Sequence, residues 1–302
     1  MDSSSTTGAA VPPPWLAEAE VAIVGLGLMG GSLAAALRGG AEGSRLCRRV
    51  VGVVRSAESL VAAEPWVDAA TTDLDTVATA DVVVLATPAR TILQLLPEVA
   101  ARMRPGALLT DLGSTKRQIV AAMAACPAEI RMVGGHPMCG KESGGLAAAD
   151  ALLYTNAPFI ICPVPGRGPD AGARLADVAR ACGARPYIMD AVEHDRVVAA
   201  ISHTPYTTAV ALVRAAEVLA AEAGGAVWAL AAGGFRDTTR VAGGEIAMWI
   251  DILLTNRDDV LAHLARVNIA IAELTAAVSA EDVAALTLLL QEAQSRRRDL
   301  YR

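Results

Sequence analysis

The stretch Val21-Ala22-Ile23-Val24-Gly25-Leu26-Gly27-Leu28-Met29-Gly30-Gly31-Ser32 decides the fold. Its first four residues form an apolar, β-branched run that reads as a buried strand. Glycines follow at the spacing GxGxxG, and Gly31–Arg38 continues as a helical stretch. Gly25 permits a tight turn. Gly27 lets backbone N–H groups approach a pyrophosphate, and Gly30 lets the helix pack close on the strand. Leu26, Leu28 and Met29 complete the turn, and the helix N-terminus adds partial positive charge. This strand–turn–helix unit predicts a dinucleotide site.

Outward from the turn, short apolar runs alternate with helical stretches. Strands are expected at Val21–Val24, Val50–Val54, Val82–Ala86, Leu108–Asp111, Arg131–Val133 and Phe159–Cys162, with a helix at Thr91–Met103. Strands alternating with helices predict βαβ units and a parallel sheet covered on both faces. After about residue 188 the pattern is helical. Asn256 is placed to cap a helix whose Val260, Leu264, Val267, Ile271, Leu274 and Val278 form a narrow apolar stripe. Ser279 and Asp282 resemble a capping box opening a last helix. The expected organisation is a flexible tail over 1–17, a Rossmann-type doubly wound α/β domain over 18–188, and an all-helical substrate and dimerisation domain over 189–302.

The chain has 302 residues, 53% hydrophobic and 19% charged, enough for a sizeable core. A net charge of −6 excludes a basic nucleic-acid footprint as the dominant feature. Five widely spaced cysteines encode neither a disulfide framework nor a metal motif, so no metal is expected. Val21–Leu37 carries no charge, but its glycines argue against a membrane helix, and Met1-Asp2-Ser3 lacks the basic start of a signal peptide. A cytoplasmic homodimer acting on a small molecule, without nucleic acid or membrane, is the expectation.

The remaining strand ends collect polar residues: Thr87-Pro88, then Asp111-Leu112-Gly113-Ser114-Thr115-Lys116, then Gly134-Gly135-His136-Pro137. In doubly wound sheets ligands sit outside the carboxyl ends of the strands, so these groups should face one crevice. The second strand ends Val53-Val54-Arg55-Ser56, without the acid that holds the ribose of NAD. Arg55 and Ser56 suit a 2′-phosphate, which favours NADP over NAD. His136, read as lying just past a strand, is the candidate general base.

Gly135-His136-Pro137-Met138-Cys139-Gly140-Lys141-Glu142 resembles the GHPMxGxE signature of the prephenate/arogenate dehydrogenases. Asp111–Lys116 resembles that family's D-x-x-S-x-K segment, Ser202-His203-Thr204-Pro205 its S-H-x-P helix, and Gly234-Phe235-Arg236-Asp237-Thr238-Thr239-Arg240 its GFRDTTR segment. The resemblance implies oxidative decarboxylation of a cyclohexadienol to a phenol on the route to tyrosine. It implies that His136 takes the proton of the ring 4-hydroxyl and that Ser114 fixes that hydroxyl or His136. Arg240 would pair with the ring carboxylate, with Asp237 and Trp249 near the substrate mouth. His203 is either a substrate-site residue or a packed helix histidine. Tyr206 stands where many prephenate-using members carry a second histidine, which leaves prephenate and arogenate both open. His194 and His263 read as ordinary surface residues. Two other readings share part of this pattern: a β-hydroxyacid-type dehydrogenase, which would need a catalytic helix lysine, and a protein that senses NAD(P) without turnover.

Overall fold

The computed structural model describes residues 12–39, 43–141, 143–223 and 225–300. Glu142 of the signature and residues 1–11 of the expected tail lie outside the described residues. Helix α1 (Pro14–Ala17) precedes strand β1 (Glu20–Val24), the glycine turn and α2 (Leu28–Gly39). Then come β2 (Arg49–Val53), α3 (Ala57–Ala63), β3 (Ala69–Thr71), β4 (Val82–Leu85), α4 (Ala89–Arg102), β5 (Leu108–Asp111), α5 (Arg117–Ala124) and β6 (Arg131–Pro137). Strand β7 (Pro158–Pro163), α6 (Ala171–Ala181) and β8 (Arg185–Ile188) complete an eight-stranded sheet among the described residues, ordered β3-β2-β1-β4-β5-β6-β7-β8.

Both faces of the sheet are covered, and the side-chain period of 2 shows why. On β1, Val21 and Ile23 enter one core with Leu33 and Leu37 of α2 and Leu175 of α6. Ala22 and Val24 point the other way, into a core with Ile92 and Leu96 of α4 and Ile119 of α5. The strand order reverses between β1 and β4, which opens a crevice at the carboxyl ends of those two strands.

Three expectations are corrected here. The sheet is not wholly parallel, because β7 runs antiparallel to β6. A parallel neighbour needs a crossover that carries the chain back to its starting end. The segment between β6 and β7 instead stays at the crevice end and packs on α2 before re-entering the sheet. The end of the expected tail is ordered: Leu16 is buried and the Trp15 indole N–H donates to Asp177 at 3.2 Å. Ser279 ends a helix rather than opening one, and Asp282 alone caps the last helix by accepting from the Ala285 N–H at 2.9 Å.

The helical half begins with α7 (Ala191–Val198), a π-helical turn over Ala199–His203 and α8 (Thr204–Ala223). Short helices α9 (Ala226–Ala229) and α10 (Gly233–Thr239) lead through a 3₁₀ turn, Arg240–Gly243, to α11 (Ile246–Thr255), α12 (Arg257–Ser279) and α13 (Val283–Leu300). The two halves meet through α7, which packs on α5 and β7, and through α11, which packs on α4. Asp251, 8% exposed, accepts from the Arg90 backbone N–H at 2.8 Å. It thereby caps α4, whose own N-cap, Pro88, offers no side-chain acceptor. Thr255 adds a 2.9 Å hydroxyl contact with Thr115 and accepts from Gln118 at 3.0 Å through its carbonyl.

Asp251→Ala removes that cap and should cost about 1–2 kcal/mol, read as a lower midpoint in urea unfolding. Asp251→Asn, which keeps an acceptor, should lose less. Equal midpoints for all three proteins would contradict the cap.

Candidate active site

The glycine turn has the form a pyrophosphate site requires. Gly25 adopts φ +97°, a conformation that side-chain-bearing residues rarely reach, and its N–H donates to the Val53 carbonyl at 2.9 Å. A Cβ at Gly30 would collide with the Gly25 carbonyl oxygen, while the corresponding position at Gly27 faces open space. The Thr87 hydroxyl is buried with no hydrogen-bond partner among the described residues. Its methyl group walls the turn at Gly25, and Pro88 follows at the start of α4. An orphaned hydroxyl beside free helix N–H groups fits a dinucleotide. Arg55 and Ser56 are exposed just past β2, and the Ser56 Oγ caps α3 by accepting from the Ser59 N–H at 3.3 Å.

His136 stands within β6, opposite Ile160 of β7, and not in the loop beyond it. The strand pairing therefore fixes its side chain more firmly than the sequence suggested. The preceding loop is braced by Asp111 and Lys116, an ion pair buried completely. Asp111 also accepts from the N–H groups of Gly113 at 2.8 Å and Gly135 at 3.2 Å, which ties the Ser114 loop to β6. Ser114 itself is half-buried on that loop.

His194 is the main correction. It is fully buried, not a surface residue, and its Nε2 lies 2.8 Å from the Nδ1 of His136. The His194 Nδ1 lies 2.7 Å from Asp195 Oδ1. Asp195 accepts also from the backbone N–H groups of Lys116 at 2.7 Å and Arg117 at 2.9 Å. Burial alone would raise the Asp195 pKa, but these donors hold its carboxyl below the usual range, so it is ionised. An ionised acceptor needs the proton of His194 on Nδ1. The His194 Nε2 is then an acceptor, so His136 donates through Nδ1 and keeps a lone pair on Nε2. Burial, with His194, Lys116 and His203 adding to it, holds the His136 imidazole well below its normal pKa. The ring is neutral at pH 7, with one nitrogen available as a base.

Asn256 links this chain to a second cluster. It opens α12 but caps nothing with its side chain. Its Nδ2 instead donates to the Asp195 carbonyl at 2.7 Å and lies 3.2 Å from the His203 Nδ1. Burial takes His203 down to about 4, so it too is neutral. His203 meets Trp249 edge-on at 6.3 Å, and Trp249 stacks on Tyr206 at 3.7 Å. Arg240 and Asp237 are exposed on the α10 segment, where Asp237 pairs with Arg236 at 3.1 Å. The 3₁₀ turn that Arg240 opens packs on α8, the helix carrying Tyr206. His263 is half-buried on α12 rather than exposed.

Sequence reasoning missed His194, Asp195 and Asn256. The string Glu193-His194-Asp195-Arg196 looks like a solvated charge run. Adjacent His and Asp at the start of a helix was the one available signal.

Two family models match in tandem. The model of the prephenate dehydrogenase nucleotide-binding domain covers residues 39–188, and that of the prephenate dehydrogenase dimerization domain covers 190–292. The prephenate dehydrogenase of Bacillus subtilis is 37% identical over 80% of this chain and 65% of its own length. That of Lactococcus lactis is 31% identical over 90% of this chain and 75% of its own. The solved structure of A. aeolicus prephenate dehydrogenase with hydroxyphenyl propionate and NAD+ superposes with a TM-score of 0.84 at 28% identity, covering 94% of this chain and 99% of that one. Tandem matches to both halves, with relatives aligned across them, make this chain a member of the prephenate/arogenate dehydrogenase family, a nicotinamide-dependent oxidoreductase.

Proposed function

We propose that this chain oxidatively decarboxylates prephenate to 4-hydroxyphenylpyruvate, or arogenate to tyrosine. The hydrogen-bonded chain His136–His194–Asp195 carries the proposal, because it leaves one imidazole nitrogen unprotonated at the crevice. A nicotinamide dinucleotide, its pyrophosphate held at Gly25–Gly30, would supply the hydride acceptor. His136 Nε2 takes the proton of the ring 4-hydroxyl as C4 is oxidised. Ser114 holds that hydroxyl or His136. The imidazolium is stabilised through His194 by the buried Asp195 carboxylate. Arg240 binds the ring carboxylate, for which a planar guanidinium suits. Oxidation makes a dienone whose ring carboxylate is vinylogously β to the carbonyl, so the electron pair freed by loss of carbon dioxide moves to that oxygen and the ring becomes aromatic. Asp237 stands near the mouth, and His203, Tyr206 and Trp249 enclose the substrate side chain. Arg55 and Ser56 favour NADP over NAD.

We further propose a division at residue 188, with 18–188 binding the dinucleotide and 189–302 forming a cytoplasmic homodimer. Ile271, Leu274 and Val278 of the α12 stripe are exposed in the single chain, as are Leu288 and Leu290 of α13. Helix α12 is long and apolar enough to cross a membrane by length and composition. Its Arg266 and Glu273 suit a protein interface better.

His136→Ala should lower kcat about 10²–10⁴-fold. Asp195→Asn should approach the same loss, because an amide donating to His194 reverses both tautomers and protonates His136 Nε2. Retention of near-full kcat by either variant would refute the base. An assay of prephenate and arogenate against NAD and NADP fixes both specificities. Arg55→Ala should weaken NADP selectively, and equal loss for both cofactors would contradict its role. Light scattering should return twice the 31.0 kDa chain mass. A monomer at micromolar concentration would overturn the dimer.

A further inference from the structure

The fourth glycine of the turn, Gly31, has no part in the phosphate motif, and its neighbours show what it is for. A Cβ there would collide with Leu146 Cδ1 and come within 3.0 Å of the Ala149 Cβ. Both residues belong to the segment that leaves β6 just after His136. The next residue, Ser32, is fully buried, and its Oγ accepts from the Asp150 N–H at 2.9 Å. Asp150 is in turn held by Lys141 of the GHPMCGKE stretch, whose Nζ lies 2.9 Å from its carboxylate and also donates to the Ala148 carbonyl at 3.2 Å. Farther along, Tyr154 is fully buried and its hydroxyl donates to the Met29 carbonyl at 2.7 Å.

That last bond bears on the phosphate site through the planarity of the peptide. The Met29 carbonyl and the Gly30 N–H belong to one trans peptide unit and point in opposite directions. A donor on the oxygen therefore sets the direction of the N–H, and polarises it toward an anion at the helix start. On the ligand side the turn is open, and a Cβ at Gly27 would touch nothing within 4 Å.

We propose that Gly31, Ser32 and Tyr154 form a clamp through which the segment behind His136 positions the dinucleotide-binding turn. Tyr154 is the positioning residue that aims its N–H groups. The proposal rests on the dinucleotide site at Gly25–Gly30. It gives the antiparallel return of β7 a role: the chain stays at the crevice end so that one segment carries His136 at its start and grips the cofactor turn at its end.

The test is calorimetric titration of the full chain with NAD+ and NADP+, paired with steady-state kinetics. Tyr154→Phe keeps the ring and loses only the hydroxyl. It should raise the Kd and KM of the preferred dinucleotide about three- to tenfold, with kcat at saturation almost unchanged. Gly31→Ala should weaken binding likewise, and Leu146→Ala added to it should restore part of the loss by making room for the new methyl. Folded variants with a lower Tm but the wild-type Kd would show that these contacts only brace the fold, and would overturn the clamp. A wild-type chain that binds neither dinucleotide would overturn the site itself, and the clamp with it.

Discussion

A carboxylate held in the dry junction between the two halves is the constraint on which the rest of the structure depends. Asp195 sits on α7, in the helical half, yet two of its hydrogen bonds come from the backbone at the start of α5, in the sheet half. Its own carbonyl is held by Asn256 at the start of α12. Burying a carboxylate costs several kcal/mol unless donors surround it. Here the donors are His194 on its own helix and the two backbone N–H groups at the start of α5, so the charge is tolerable only when α7 and α5 are docked. The same charge fixes the proton on His194, and through it the proton on His136. Docking and chemistry are therefore one arrangement.

Around that junction the buried carboxylates are ion-paired or hydrogen-bonded. Lys116 and Asp111 neutralise each other beneath the Ser114 loop, and Asp111 spends its remaining acceptor capacity on the backbone of the strand that carries His136. Asp251 caps α4, whose N-terminus borders the glycine turn. Each carboxylate thus ties the helical half, or a crevice loop, to a strand or helix end, and the crevice walls are built from those ends.

Much of this was legible in the sequence, and the limits have physical causes. The GLGLMGG turn was readable because a phosphate site at a helix start is local: turn, approach and packing fall within six residues. The long strands were readable because a sheet covered on both faces demands continuous apolar runs. Strand β3 escaped, since Ala69-Ala70-Thr71 carries no such run. The direction of β7 escaped because it is set by where the connection travels, and Phe159–Cys162 looks the same in either direction. His194 escaped for the converse reason. Its neighbours are charged, but the docking of α7 against α5 buries it, and that is a tertiary event with no local signature. Asn256 was a sound N-cap residue by type, yet its Nδ2 donates to the Asp195 carbonyl and its buried Oδ1 accepts from no N–H group among the described residues. On the apolar stripe of α12, only the fold shows that Val260 is buried while Ile271, Leu274 and Val278 are left uncovered by a single chain.

Asp195 dictates the tautomer of His136 through His194. The chain has four histidines, which makes ring nitrogen NMR on selectively labelled protein direct. Between pH 6 and 8 the His136 ring should be neutral, protonated on Nδ1 with an unprotonated Nε2. A His136 ring protonated on Nε2, or one carrying both protons at pH 7, would contradict it.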